Sequence, residues 1–576
     1  MTSDSQATVD HAWTGSVRPV GALAVRVDAD TAGDRKARGA FFTPSAMAEH
    51  LAQWAVRAAT DAVFEPSCGE AAFLLAAGER LRQLGRGPER LDQLAGIELH
   101  DPSATRAAVS LSLADVNALV QIGNFLALPA RPTYDAVIGN PPYVRYQDFT
   151  GSARAEAQAL ARRSGVRLSG LASSWAAFVV HAAGFVRRPA GRLGLVLPAE
   201  LLSVNYAGDV RRYLLERFGR VRLVLFDELV FPGVLEEVVL LLAEGEGPGD
   251  EVEFVQARNL ADLAETARIA FWTPPRPEDK WLGGLIPGAA DDVYRSLLDE
   301  GHFCGLREWG ETYLGMVTGN NRFFTFTPAA AKAAGLQETE LLRISPPGSV
   351  HLRGLDMTTR AWDELGRAGR PTYLLYPTTA PSTAARNLID LGEDAEVDQA
   401  YKCRVRTPWW RVPLVAIPDL FLTCMNHDTP RLSANRAAVR HLNSVHGVAL
   451  RPEHKDLGMD LLSLAALNSM TLLGAELVGR SYGGGLLKIE PREADKLPVP
   501  APATVTSVME GLRALRPQLA MALRSNDVLA AANLIDRVIL IDQLGLSRRK
   551  VKELREARAA LFARRVARGG RSRGAS

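Results

Sequence analysis

The chain has 576 residues, 47% of them hydrophobic and 23% charged, a mix that excludes global disorder and leaves room for about two to four domains. No apolar run reaches the ~18–20 residues of a membrane span, the start Met1-Thr-Ser-Asp-Ser5 lacks the layout of a signal peptide, and Cys68, Cys304, Cys403 and Cys424 form no CxxC pair, so a cytoplasmic chain with neither a disulfide framework nor a cysteine-rich zinc site is expected. The 67 basic and 65 acidic residues nearly cancel, so net charge does not by itself announce a nucleic-acid binder.

Residues 1–37 are polar and aperiodic and read as a flexible arm. From about Phe41 to Glu244 short apolar runs alternate with helical patterns. Strands are expected at Ala62–Glu65, Leu94–Glu98, Tyr134–Gly139, Leu193–Leu197, Val221–Phe226 and Val238–Ala243, with helices such as Met47–Ala59 and Ala72–Leu84 between them. Such alternation predicts an α/β fold: a mostly parallel sheet with helices on both faces. The last two strands are joined only by Asp227–Glu237, too short for a helical crossover, so they are expected to be antiparallel. The breaker-rich stretches Glu244–Glu251 and Thr273–Pro277 bracket an expected domain boundary. This divides an α/β domain, 38–250, from a less regular α+β domain, 265–505, and a helical region, 506–576. The last region holds eleven Arg/Lys between Arg548 and Arg573, against Glu553 and Glu556. Such a run either touches phosphate or is a solvated helix end.

The strongest motif is Asn140-Pro141-Pro142-Tyr143, directly after the apolar strand Tyr134–Gly139. In an open α/β sheet the carboxyl ends of the strands are where ligands bind. The motif suits methyl transfer to a planar amine, whose lone pair is delocalised into its ring. Two acceptors on its two N–H bonds draw the nitrogen toward tetrahedral geometry. Asn140 can offer a side-chain carbonyl, and Pro141 a backbone carbonyl on a segment stiffened by its ring. Tyr143 can stack on the base. The bland alternative is a rigid proline turn leaving a strand. Upstream, Val63–Leu74 reads as strand, small-residue turn and helix; Gly96-Ile97-Glu98 ends a strand in an acid able to accept from ribose hydroxyls; and Gly123-Asn124-Phe125 offers a polar group and an aromatic ring. Each is weak alone, and their order and spacing give them weight.

On these residues the chain resembles the γ-class (TaqI-like) adenine-N6 DNA methyltransferases over about residues 38–500. The resemblance implies a class I methyltransferase sheet of about seven strands followed by a target-recognition domain. It also implies S-adenosylmethionine as cofactor and no catalytic metal. Gly39–Pro44 is similar to the opening cofactor motif, whose threonine is Thr43. Glu65, Ser67, Cys68 and Gly69 match the methionine-side turn, Glu98 the ribose acid, Asn124 and Phe125 the adenine contacts, and Asn140, Pro141, Pro142 and Tyr143 the catalytic loop. Phe231 resembles the aromatic that stacks on the flipped-out base. In the second half, Gly315–Phe324, Tyr401–Arg411, Leu467–Ser469 and Gly479–Lys488 resemble recognition-domain segments, which makes Arg322, Lys402, Arg404, Arg406, Trp409, Trp410 and Lys488 candidate DNA contacts. Two departures stand out: Ala71 replaces a glycine, and Asn124 an aspartate. The function implied is methylation of adenine N6 in a specific duplex sequence, with base flipping. The setting is a restriction–modification or phage-defence system, among nucleoid DNA, with a cognate restriction endonuclease or another defence protein as partner. The alternatives are a DNA-reading subunit whose methylation is lost or partner-dependent, and a methyltransferase acting on RNA or protein glutamine.

Overall fold

The computed structural model describes residues 18–19, 43–85, 93–228, 237–263, 267–378 and 380–569. Of the expected N-terminal arm only Arg18 and Pro19 are among them. They form β1, pairing antiparallel with Ile122 and Gln121. The chain divides into two compact units, Met1–Leu285 and Ile286–Ser576.

The first unit runs α1 (Ser45–Ala55), β2 (Val63–Pro66), α2 (Ala72–Gln83), β3 (Leu94–Glu98), α3 (Asp101–Leu113), β4 (Leu119–Ile122), β5 (Ala136–Gly139), α4 (Gly151–Arg163), α5 (Ser174–Ala183), β6 (Arg192–Pro198), α6 (Glu200–Ser203), α7 (Gly208–Arg217), β7 (Arg220–Phe226), β8 (Val238–Glu244), β9 (Val252–Ala257) and β10 (Arg268–Trp272). One ten-stranded sheet has the order β1-β4-β3-β2-β5-β6-β8-β7-β9-β10. Strands β4, β3, β2, β5 and β6 are parallel neighbours, and β8 enters antiparallel between β6 and β7. β2, β5 and β6 are buried along their whole length, as strands covered on both faces must be. Successive residues serve opposite cores. Phe64 and Val137 join α5 and α7 on one face, while Val63 and Ile138 join α1, α2 and α3 on the other. α2 shows why such helices form: Phe73, Leu74, Ala77 and Leu81 are its buried stripe, and Arg80 and Arg82 lie in its last turn, where the macrodipole favours cations. α5 is buried at every position, a rigid support inside the domain.

The expected α/β architecture and the antiparallel last pair are present. The sheet is wider than seven strands, because β1 extends one edge and β9 and β10 the other. β4 had no place among the expected strands, since Leu-Val-Gln-Ile is only four residues long and carries a polar residue. The expected boundary at 250–265 is corrected to 285/286. Glu244–Glu251 is a turn rather than a linker, reversing at Gly245 and Gly247, which hold φ of 78° and 100°. It leads into β9, which pairs with β7.

The second unit is α+β. Gly310–Leu314, Val445–Leu450, Leu420–Thr423 and Leu432–Ala434 form an antiparallel sheet, joined by smaller sheets and by helices at both chain ends of the unit. The C-terminal helices belong to this unit and are not a separate region. Asp536 binds Ser469 and Arg555, and Arg565 binds Glu476 at 2.7 Å. Among the described residues no single helix is long and apolar enough to cross a membrane.

Candidate active site

Parallel strands bring the sequence motifs to one edge. β4, β3, β2 and β5 are consecutive neighbours, so the segments after Ile122, Glu98, Pro66 and Gly139 all leave the sheet at its carboxyl side. After β2 the chain makes a tight turn in which Ser67, Gly69 and Ala71 take φ of 73°, 52° and 71°. The Ser67 and Cys68 amides donate to the Ile97 carbonyl at 2.8 and 2.9 Å, which ties the turn to β3. The Gly69 amide donates to Glu98 Oε2 at 2.9 Å, and the His100 amide to Glu98 Oε1 at 2.8 Å. Each Glu98 oxygen keeps a lone pair for a further donor. Glu65 accepts from the Leu74 amide at 3.0 Å, yet burial holds its carboxyl well above the ordinary carboxylate range. Burial also pushes the Cys68 thiol up, so Cys68 packs as a neutral side chain.

This turn fits a ligand such as S-adenosylmethionine. Among the described residues the buried Ser67 hydroxyl has no hydrogen-bond partner, and such groups are rare unless a ligand, water or ion satisfies them. A side chain at Gly69 would meet no described residue within 4 Å, so among the described residues the turn has an open side. Two carboxyl groups, those of Glu65 and Glu98, suit an ammonium group and ribose hydroxyls. The adenine contacts need correction. Phe125 is 3% exposed, with its ring packed between Phe64, Phe178, Phe185 and His181. It is a core residue and presents no open face. The Asn124 side-chain carbonyl accepts from the Leu126 amide at 3.1 Å, capping the short helix that follows. One lone pair and the amide nitrogen remain.

The Asn140–Tyr143 loop lies beside this turn in the strand order. Asn140 Nδ2 donates to Thr43 Oγ1 at 3.2 Å, joining two residues that are 97 apart in sequence. The Tyr143 hydroxyl lies 2.6 Å from Asn140 Oδ1 and 2.8 Å from the Val196 carbonyl of β6. Its one proton serves one acceptor at a time. Tyr143 is half-buried against both faces of the sheet. Among the described residues none donates to the Pro141 carbonyl. Sequence reasoning missed Ser174, whose hydroxyl accepts from the Val144 amide and donates to the Pro142 carbonyl. Its only sequence signal is Ser173-Ser174 before an apolar helix, which reads as a helix start and says nothing of a partner 30 residues upstream. Phe231 lies outside the described residues, as do Gly39–Phe42.

In the second unit the candidate DNA contacts separate into two groups. Arg322, Lys402 and Arg404 are exposed, and the backbone at Gly319 packs against Lys402 and Cys403. The others serve the fold. Arg406 donates to the Thr318 carbonyl at 2.8 Å and to the Val317 carbonyl. Trp409 stacks near Phe323 and donates to Glu393, and both Trp409 and Trp410 pack on a core that includes Phe324 and Leu442. Lys488 pairs with Glu490 at 2.7 Å. The glycine run closes a hairpin between Arg480–Tyr482 and Leu486–Lys488, where Gly484 and Gly485 hold φ of 75° and 73°. Tyr401–Arg404 is a single helical turn.

Comparison with known proteins matches residues 28–271 to the N-6 DNA methylase model and residues 278–540 to the model of the type II methyltransferase M.Eco57I C-terminal domain. The type II methyltransferase M.XamI of Xanthomonas campestris pv. amaranthicola is 26% identical over 497 residues, covering 82% of this chain and 87% of that protein. M.AccI of Acinetobacter calcoaceticus is 22% identical over 480 residues, covering 80% and 85%. Among solved structures, the type IIL restriction–modification enzyme MmeI in complex with DNA has a TM-score of 0.50 at 12% identity, covering 89% of this chain and 74% of that one. That likeness is one of fold.

Proposed function

We propose one chemical act for this chain, which matches the N-6 DNA methylase model through residues 28–271 and the M.Eco57I C-terminal-domain model through 278–540: methylation of N6 on an adenine held out of duplex DNA. The observation that carries it is the Asn140 side chain, tied to Thr43 at the carboxyl end of β5, next to a turn that has, among the described residues, an open side and a partnerless Ser67 hydroxyl.

Glu65, Ser67, Cys68, Gly69, Glu98 and Asn124 would hold S-adenosylmethionine, which when bound supplies an activated methyl carbon on its sulfonium. The residues of the loop act on the acceptor. Asn140 Oδ1 and the Pro141 carbonyl accept from the two N6–H bonds, which loosens the conjugation of the nitrogen lone pair with the ring. Thr43 fixes the amide end of Asn140, so the carbonyl end is presented without reorganisation. The Tyr143 ring stacks on the base, and Phe231 supplies a second aromatic wall. The second unit grips the phosphates through Arg322, Lys402 and Arg404 and reads the sequence. The protein works on chromosomal DNA in the cytoplasm, paired with a restriction endonuclease of the same specificity.

The test supplies purified protein with methyl-labelled S-adenosylmethionine and, in separate reactions, genomic DNA, RNA or a protein mixture. After hydrolysis the label is expected in N6-methyldeoxyadenosine alone. Label in RNA or glutamine, or in no product, would reject the proposal.

A further inference from the structure

The two ends of the catalytic loop are held through side chains: Asn140 by Thr43, and Tyr143 by Val196. The prolines between them need a different device. Pro141 and Pro142 carry no N–H, so neither can donate to a neighbouring strand. Rigid rings fix the shape of such a loop without fixing where it sits. Its position must come from groups that bind its carbonyls and the next free amide.

One residue does both. The Ser174 hydroxyl donates to the Pro142 carbonyl at 2.5 Å and accepts from the Val144 amide at 2.9 Å. The Ser174 amide donates to the Val144 carbonyl at 3.0 Å. Three hydrogen bonds therefore join residues 142–144 to one serine that is 3% exposed. Ser174 opens α5, whose ten residues are all buried, so the anchor is on a rigid element. Its neighbour is fixed as well: Trp175 Nε1 lies 3.1 Å from the Tyr206 hydroxyl and 3.3 Å from Glu200. The clasp also sorts the two proline carbonyls. That of Pro142 is drawn to Ser174, while that of Pro141 takes no bond from any described residue.

We propose that Ser174 is a positioning residue for methyl transfer: its hydroxyl sets the placement of the Asn140–Tyr143 loop, so that the Asn140 and Pro141 carbonyls converge on the same amino group. The inference rests on the reading of that loop as the acceptor site. Ser174 acts through backbone and has no contact with the reacting atoms. Misplacing reacting groups by ~1 Å can cost on the order of a hundredfold in rate, so loss of the clasp has a kinetic effect out of proportion to its effect on stability.

The experiment measures single-turnover methylation of a duplex carrying the sequence that the protein methylates in cells, for wild type, S174A, S174T and N140A. Affinities for S-adenosylhomocysteine and for the duplex are measured in parallel. S174A is expected to slow transfer by roughly 10–100-fold with both affinities unchanged, and S174T, which restores the hydroxyl, to recover most of the rate. A wild-type rate in S174A overturns the proposal. So does a rate loss matched by lost binding, or one that S174T does not relieve, since either assigns Ser174 to packing alone. N140A separates the two levels. An active N140A removes the reading of the loop itself; an inactive N140A beside a fully active S174A removes only the role of Ser174.

Discussion

At the scale of single residues, burial and hydrogen bonding set the chemistry of a few groups. Glu65 is the clearest case. Its ordinary value is 4.5, and burial raises it well above that in the folded chain. Between 4.5 and that raised value the folded chain keeps a proton that the unfolded chain has released. The stability this gives is present in full below 4.5 and is lost as pH rises through the raised value. An ammonium group docked beside Glu65 favours the charged carboxylate, so binding expels the proton. Affinity for S-adenosylhomocysteine should rise with pH across the window above 4.5, with proton release seen by calorimetry in two buffers of different ionisation enthalpy, and Glu65→Gln should flatten the dependence. A flat profile in the wild type would remove Glu65 from the ligand. The turn itself was legible in sequence, because Glu65 lies near a strand end and Ser67 and Gly69 follow it directly. The demotion of Phe125 was not, because its ring is enclosed by Phe178, His181 and Phe185, residues that only the fold brings close. The departure at Ala71 was visible as a substitution. The structure supplies its meaning: φ is 71° there, a left-handed conformation costing a non-glycine residue about 1–2 kcal/mol.

At the scale of elements, similar-looking arginines have opposite tasks. Arg404 is exposed, whereas Arg406 is spent on the Val317 and Thr318 carbonyls. Alanine at 404 should lower the slope of log affinity against log salt by about 0.9 and leave stability unchanged. Alanine at 406 should cost about 1–3 kcal/mol of stability, read by denaturant titration, with the salt slope unchanged. The reverse pattern would show the two assignments to be exchanged. The basic C-terminal stretch divides in the same way. Arg549 and Lys552 face water in the helix Arg548–Gly569. Arg565 is buried, paired with Glu476, lying over Phe562 and donating to the Gly485 carbonyl of the glycine hairpin. Arg565→Ala removes the hydrogen-bonded partner of buried Glu476 and leaves it the more distant charge of Arg558, and should destabilise the second unit by about 3 kcal/mol, seen as a lowered denaturation midpoint. Sequence pattern reported the charge run correctly and could not report which side of the helix faces inward, because that depends on partners some 90 residues away.

At the scale of the whole molecule, the two compact units, Met1–Leu285 and Ile286–Ser576, run close to the two family-model matches, 28–271 and 278–540, and the proposed function assigns chemistry to the first and recognition to the second. The sheet that carries the chemistry was legible because buried parallel strands are continuous apolar runs, and because the proline motif follows one of them directly. The boundary was not legible. Glycine and proline mark turns within a domain as readily as links between domains, and β9 and β10 continue the first sheet past the expected break. In the proposed function the Asn140 carboxamide makes an adenine amino group reactive. N6-methyladenine mapped in genomic DNA from cells expressing either the wild-type chain or Asn140→Ala should then show methylation at one recurring sequence in the first and none in the second. An identical map from both, or no N6-methyladenine from the wild type, would take that role from Asn140.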